Sequence, residues 1–409
     1  MRKLVLLILL FPIFCFAEQY YLDELIELGL ERSVEMQKEI SSYQNSKSSL
    51  RSSYMEILPS ASIIANKSKI IEKDWNRTSG FSLTKSIYLD EPTYFKISQS
   101  LIDKQNSELA LQEATKQIVF NIVSLYLSVL ESQKSLEIHT ENLKLQNKIY
   151  SQILAQFESG EKSILDLKQS EIDLIDYEIA VNEAENNLSK LRKDLFSYLN
   201  VQDEEHDFAE PEFEEIESEL NFQNNLNMII LKNEIKSSKL SLFQTKLNFF
   251  PTVYLSYSYN YNNANNEAFF DFDEYDDSQT ISLNASYSIF DLLDKRESLS
   301  RTARNFKIQK LSFEDTEKNY RNEFSNLQKD VKTLKRSRDL YAEKLELAAE
   351  NLNMAQEQFK LGMISLIDLD RSQLGYRNTQ LSFNNRHYSL IRKQEELNLL
   401  LSKKILGKW

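Results

Sequence analysis

Apolar residues recur every seven positions along four long stretches of the chain. Ile122, Val129, Leu136, Leu143, Tyr150 and Phe157 form one ladder, and Leu167, Leu174, Val181, Leu188 and Leu195 form the next. Both return 202 positions later, first as Phe324, Val331, Arg338, Leu345, Leu352 and Phe359, then as Leu369, Tyr376, Phe383, Leu390 and Leu397. Only Arg338 breaks the apolar register. A sustained interval of seven means helices packed lengthwise in coiled-coil fashion. The chain is therefore predicted to be mainly α, built as an internal two-fold repeat of long helical hairpins. One helix, from Pro92 in a first-turn position to Ser159, would run roughly 68 residues, or about 100 Å at 1.5 Å per residue. An isolated four-helix bundle would show the same ladders, so the heptads alone assign no function.

Between each pair of ladders lies one motif, Phe157-Glu-Ser-Gly160-Glu-Lys-Ser163-Ile-Leu-Asp166-Leu167 in the first half and Phe359-Lys-Leu-Gly362-Met-Ile-Ser365-Leu-Ile-Asp368-Leu369 in the second. A glycine closes a helix by taking the left-handed conformation, and a serine followed three residues on by an acid opens the next helix as a capping box. Each motif is thus predicted to be the tip of a helical hairpin. Gly160 and Gly362 answer a backbone need. Asp166 and Asp368 are expected first as caps for their own helices, and Phe157 and Phe359 continue the apolar ladders into the packed seam.

A second pattern has period two. In Thr252–Asn262 the odd positions are Val253, Leu255, Tyr257, Tyr259 and Tyr261, while the even ones are Thr, Tyr, Ser, Ser, Asn and Asn. In residues 280–290 Ile281, Leu283, Ala285 and Tyr287 alternate with small polar residues, and weaker partners are expected at 60–70 and 80–89, where Lys85 violates the alternation. One face is apolar and the other small and polar, as in a barrel with lipid outside and water inside. Leu58-Pro59 and Phe250-Pro251 precede the first strand of each half. Between the third and fourth strands the second half carries ten extra residues, so Asn262 to Gln279 is read as an exposed, acidic, Asn-rich loop. Four strands cannot span a bilayer alone, because open edges leave unpaired backbone groups in hydrocarbon. Two copies would supply eight strands and three would supply twelve, and closure allows both.

Composition narrows the function. With 6 Gly and 5 Pro in 409 residues, almost no stretch reads as a linker. Residues 1–17 have a basic start, an apolar run from Leu4 to Leu10 and a small Ala17 before Glu18, which is a secretory signal peptide with cleavage expected near Ala17. Lipid attachment at Cys15 is an alternative that the preceding Ile13-Phe14 disfavours. Without Cys15 the mature chain has no thiol, and its three histidines are scattered, so no disulfide, cofactor or metal site is expected. Loss of Arg2 and Lys3 moves the net charge from −13 to −15, a balance that repels phosphate backbones and excludes nucleic acid as a partner. After the signal no stretch approaches the roughly 20 apolar residues of a spanning helix. No Ser/His/Asp, paired-carboxylate or phosphate-loop constellation stands above helix-surface charge, so no enzyme activity is expected.

The signal peptide, the two Leu-Pro and Phe-Pro lead-ins and the twin Phe-x-x-Gly-x-x-Ser-x-x-Asp-Leu tips together resemble the TolC family of outer-membrane efflux proteins over essentially the whole mature length. The resemblance implies a homotrimer in the outer membrane, with a twelve-strand β-barrel embedded in outer-membrane lipid and continued by an α-helical barrel across the periplasm. It also implies an export channel of a tripartite efflux or type I secretion system. The hairpin tips, with Phe157, Gly160, Ser163, Phe359, Gly362 and Ser365, would dock to a periplasmic adaptor (membrane fusion) protein. An inner-membrane pump of resistance-nodulation-division or ABC type would feed the complex. Asp166 and Asp368 match the acidic positions that narrow the periplasmic mouth in that family. Arg371 stands one turn after Asp368 where some relatives carry a second acid, and at that spacing it is placed to pair with Asp368. The expected division is a signal peptide at 1–17, a first repeat at 18–200, an acidic connection at 201–220 lying solvated around the waist, and a second repeat at 221–409. The rival reading is a periplasmic coiled-coil scaffold that never enters the membrane.

Overall fold

The computed structural model describes residues 19–69, 71, 75–89, 91–213, 225–263 and 275–406. The expected signal peptide and most of the 262–279 loop lie outside the described residues. In chain order the elements are β1 (Gln19–Tyr20), α1 (Leu22–Arg32), α2 (Val34–Met55), β2 (Ser60–Lys69), β3 (Trp75–Tyr88), α3 (Pro92–Glu158) and α4 (Ile164–Leu199). There follow β4 (Asp207–Phe208), α5 (Leu226–Leu247), β5 (Thr252–Asn263), β6 (Tyr275–Ser286), α6 (Leu292–Lys360) and α7 (Leu366–Leu400). The expected long helix from Pro92 is α3, 67 residues without interruption. Among the described residues no helix is long and apolar enough to cross a membrane.

The chain forms two compact units, one of Glu35–Ala114 with Asn221–Glu323 and the other of Met1–Val34, Thr115–Leu220 and Phe324–Trp409. The first holds a four-stranded antiparallel sheet in the order β2-β3-β5-β6. All four predicted strands are present, but β3 begins at Trp75 rather than Gly80, and β6 spans Tyr275–Ser286 rather than 280–290. Lys69 pairs with Trp75 and Asn263 with Tyr275, so the hairpins run further from the helices than side-chain alternation suggested. Backbone ladders continue there through polar residues such as Arg77, Asp276 and Asp277, whose composition reads as loop. The sequence expectation was short at this end because it followed hydrophobicity, which sets the faces, and not the pairing.

The register separates the two faces as the alternation required. Ile87, Leu255 and Leu283 stand side by side on one face, and Ser86, Ser256 and Ser282 stand side by side on the other. The polar face is knitted across strands: the Ser256 and Ser282 hydroxyls lie 2.6 Å apart, and Ser82 Oγ donates to Asn260 Oδ1 at 2.8 Å. The apolar face has no cover within the unit, and Ile63, Ile87, Ile281 and Leu283 are each more than half exposed. Lys85, which broke the alternation, sits near the helix end of β3 and donates from Nζ to the Glu56 carbonyl at 2.8 Å. Its charge thus leaves the apolar face along its own aliphatic stem. β2 and β6 are open edges.

The second unit buries part of each ladder and half-buries the rest. Ile122, Val129, Leu195, Phe324, Leu352, Phe359, Leu369, Leu390 and Leu397 are all buried. α1 closes against this core through Leu22, Leu25 and Ile26. The approach at Gly29 is so close that a Cβ there would lie 2.4 Å from Ile122 Cδ1. Arg338, the register breaker, turns its guanidinium to Asp339 Oδ1 at 2.7 Å. A small parallel pair, β1 with β4, was not legible in the sequence. The buried Tyr126 hydroxyl reaches the carbonyls of Tyr20 at 2.9 Å and Ala209 at 2.5 Å, which binds the strand pair to α3. Part of the acidic run expected to be a solvated connection is likewise anchored: Arg192 grips Asp203 with two bonds of 2.6 Å and donates to the His206 carbonyl. Glu214 and Glu215 of that run lie outside the described residues.

Candidate functional site

The twin tips are built from the residues that the motif named. α3 ends with Gly160 at φ +82°, and the N–H groups of Gly160 and Glu161 return to the carbonyls of Phe157 (3.0 Å) and Gln156 (2.8 Å). α6 ends in the same way, with Gly362 at φ +70° and N–H groups of Gly362 and Met363 on Phe359 (3.0 Å) and Gln358 (2.9 Å). Both are Schellman closures, in which the left-handed residue lets the chain reverse while spare helix carbonyls are satisfied.

The next helix opens on a reciprocal box in each case. Asp166 N–H donates to Ser163 Oγ at 3.2 Å, and Ser163 N–H donates to Asp166 Oδ2 at 3.1 Å. Asp368 N–H donates to Ser365 Oγ at 3.2 Å, and Ser365 N–H donates to Asp368 Oδ2 at 3.3 Å. The serine hydroxyl also lies 2.7 Å from Asp166 Oδ2 and 2.6 Å from Asp368 Oδ2. These hydrogen bonds, hydroxyl first and backbone second, hold both carboxyls below the usual range, so both are anionic at neutral pH. Arg371 is exposed, adds only the last of the influences on Asp368, and makes no ion pair with it.

The two tips are packed together by one cluster. Ile149 and Ile153 of α3, Leu352, Ala355 and Phe359 of α6, and Leu366 and Leu369 of α7 are buried there. Phe157 is only half-buried, whereas Phe359 is 4% exposed and carries the Lys162 amine 4.8 Å above its ring. The two phenylalanines of the motif are therefore not equivalent. Outside this core the tips present Ile164, Leu165, Leu361, Met363 and Ile367 to solvent.

Two features went unread in the sequence. One is a polar layer on α4 and α7, where Asp173 and Tyr177 of α4 lie beside Asp370 and Arg377 of α7, and Ser170 and Gln373 are fully buried. The Arg377 guanidinium lies 4.6 Å over the Tyr177 ring. Burial raises Asp173, and burial with the Asp173 charge beside it raises Asp370. The other is a pair of apolar stripes with no cover: Leu165, Ile172 and Ile179 on α4, and Leu340, Leu347 and Met354 on α6 with Leu361 just past its end. Each repeats every seven residues, and exposure runs from 49% to 76%. The ladders that identified the core were so regular that these parallel, outward ladders were not separated from them. Among the described residues no group of three or more His, Cys, Asp or Glu is placed to hold a metal.

Residues 223–403 match the family model described as outer membrane efflux protein. No curated protein matches the chain by sequence. The fold is that of outer-membrane channels. The crystal structure of the Campylobacter jejuni CmeC outer membrane channel superposes with a TM-score of 0.81 at 15% identity, covering 95% of this chain and 87% of that one. The Vibrio cholerae outer membrane protein VceC gives 0.76 at 13% identity, with coverages of 93% and 94%. The open-state Neisseria gonorrhoeae MtrE outer membrane channel gives 0.80 at 13%, with coverages of 93% and 89%. The second half of the chain is thus similar to outer membrane efflux proteins, and the fold over nearly the whole chain is that of these outer-membrane channels. The resemblance carried by the lead-ins and twin tips is borne out.

Proposed function

We propose that the protein is the outer-membrane export duct of a tripartite efflux or type I secretion system, acting as a homotrimer. The observation that carries this reading is the sheet: four strands, an uncovered apolar face and two open edges, β2 and β6. Such a sheet is stable in hydrocarbon only when copies close it into a barrel. The uncovered stripes on α4 and α6 support the same step in the helical part, because heptad stripes left without a partner in one copy are seams for the next. A periplasmic scaffold would have no use for an apolar sheet face.

In this reading three chains give twelve strands in the outer membrane, and the helices line a passage through the periplasm. The tips, with Phe157, Gly160, Ser163, Phe359, Gly362 and Ser365, receive the periplasmic adaptor, and an inner-membrane pump of resistance-nodulation-division or ABC type supplies the cargo. The exposed Ile164, Leu165, Leu361, Met363 and Ile367 give the adaptor an apolar surface to cover. Asp166 and Asp368 place fixed negative charge at the mouth, with Arg371 beside the second, and opening consists of loosening the packed tips. The duct itself performs no reaction and needs no cofactor.

The test is conductance with capture. Purified protein in planar bilayers is expected to form ion-conducting pores, and crosslinking in cells is expected to join the tips to an adaptor and pump. A protein that fractionates with soluble periplasmic contents, without conductance, would overturn the proposal.

A further inference from the structure

The far end of the β2–β3 hairpin departs from the pattern of the apolar face that continues into it. Lys67 stands opposite Arg77 and Lys69 opposite Trp75, all four on the same face as Ile63 and Phe81. The Lys67 amine lies 4.6 Å and the Lys69 amine 5.7 Å from the centroid of the Trp75 ring. Both lysines are exposed and neither forms an ion pair with a described residue. Trp75 is itself 47% exposed. The corresponding end of β5–β6 carries Asp276 and Asp277 instead, so the cations are a property of one hairpin and not of the rim as a whole. Helices α2, α3, α5 and α6 all join the sheet at its opposite end.

We infer that Lys67 and Lys69, on the platform of Trp75, form a binding site for the phosphate groups of anionic lipid in the outer leaflet. The inference rests on the proposed barrel, which turns this face to lipid and this end outward. A tryptophan at the limit of an apolar face sits at the headgroup level of a bilayer. Lysine amines held over its ring stay near the hydrocarbon boundary rather than reaching into water, where a phosphate is within reach. Residues 70 and 72–74 of the intervening turn lie outside the described residues and are not needed for the site.

The experiment is native mass spectrometry of the full-length detergent-purified assembly, titrated with bisphosphorylated lipid A, phosphatidylglycerol or phosphatidylcholine. Tight binding is expected for lipid A, weaker binding for phosphatidylglycerol and little for phosphatidylcholine. Each of K67Q and K69Q is expected to weaken lipid A binding about fivefold, and the double variant about 25-fold. K85Q, at the other end of the same face, is expected to change nothing. Heat-modifiable migration of the assembly shows whether the barrel is intact, so failure of the barrel is read separately. Unchanged lipid A binding in intact K67Q/K69Q assemblies overturns the site. So does loss of assembly in K67E/K69E that D277K restores, which would give the cations to a neighbouring copy.

Discussion

Ser365 and Asp368 hold each other by three contacts of 2.6 to 3.3 Å, and this closed box leaves Arg371 outside it. The carboxylate that could face a passage is therefore already engaged in starting its own helix. Capping and pore lining are compatible, because the box uses Oδ2 and leaves Oδ1 without a bond in it. Ser365→Ala is expected to cost about 1 kcal/mol of local helix stability. Faster hydrogen exchange confined to the start of α7 is the check.

The box has a pH consequence. Both carboxyls are depressed, so their capping contribution is complete above the ordinary aspartate value of about 4 and is lost only as pH falls through the lower folded value. Hydrogen exchange at the two helix starts, corrected for intrinsic rates, is expected to be flat from neutral to mildly acidic pH. An uncapping transition near neutrality would contradict the assignment.

The proposed gate gives a separate expectation. Asp368→Ala is expected to raise single-channel conductance or antibiotic uptake, and Asp368→Asn, which still caps, to raise it less. Arg371→Ala is expected to strengthen cation block at the mouth, since it removes the only nearby positive charge among the influences on Asp368. Unchanged conductance and block in all three variants, with assemblies intact, would leave Asp368 a cap alone.

The polar layer on α4 and α7 titrates in the opposite sense. Asp173 and Asp370 are raised, with Asp176, Tyr177, Arg377 and Asp370 or Asp173 as the charged and titratable groups around each. A raised carboxyl destabilises the packed state when ionised, so the layer is tightest below the ordinary carboxylate value and loosens as pH rises through the folded value. Exchange in the peptides covering Asp173 and Asp370, corrected for intrinsic rates, is expected to quicken as pH rises through their raised values. Asp370→Asn is expected to remove most of that dependence, and an unaltered dependence would count against it.

Face assignment in the sheet is tested by charge. Ile281 is 74% exposed on the apolar face, and its neighbour Ser282 meets Ser256 on the polar one. Ile281→Arg is expected to cost about 2–4 kcal/mol of membrane stability, as for a lipid-facing arginine near mid-bilayer, and Ser282→Arg much less. Urea titration of protein folded into vesicles would show the difference, and equal losses would mean that the faces are reversed.

Much of this was legible because the helical and strand periods are clean. The ladder from Ile122 to Phe157 and the alternation from Val253 to Tyr261 each follow one geometric rule, and the tip motif encodes its turn in three residue types. Strand ends were not legible, since backbone pairing carries β3 back to Trp75 and β6 back to Tyr275 through polar residues. The α4–α7 layer was hidden for a related reason: Asp173, Asp370 and Arg377 look like helix-surface charge until packing places them against one another. Phe157 and Phe359 share one motif position, yet only the second is buried, a difference that depends on which hairpin each tip meets.

The most direct measurement is the mass of the protein extracted from membranes in mild detergent. A four-stranded sheet with two open edges, together with bare stripes on α4 and α6, is expected to give three copies of the chain, which is 48.0 kDa before any processing, dissociating only on heating. A folded monomer stable in the membrane would contradict the account.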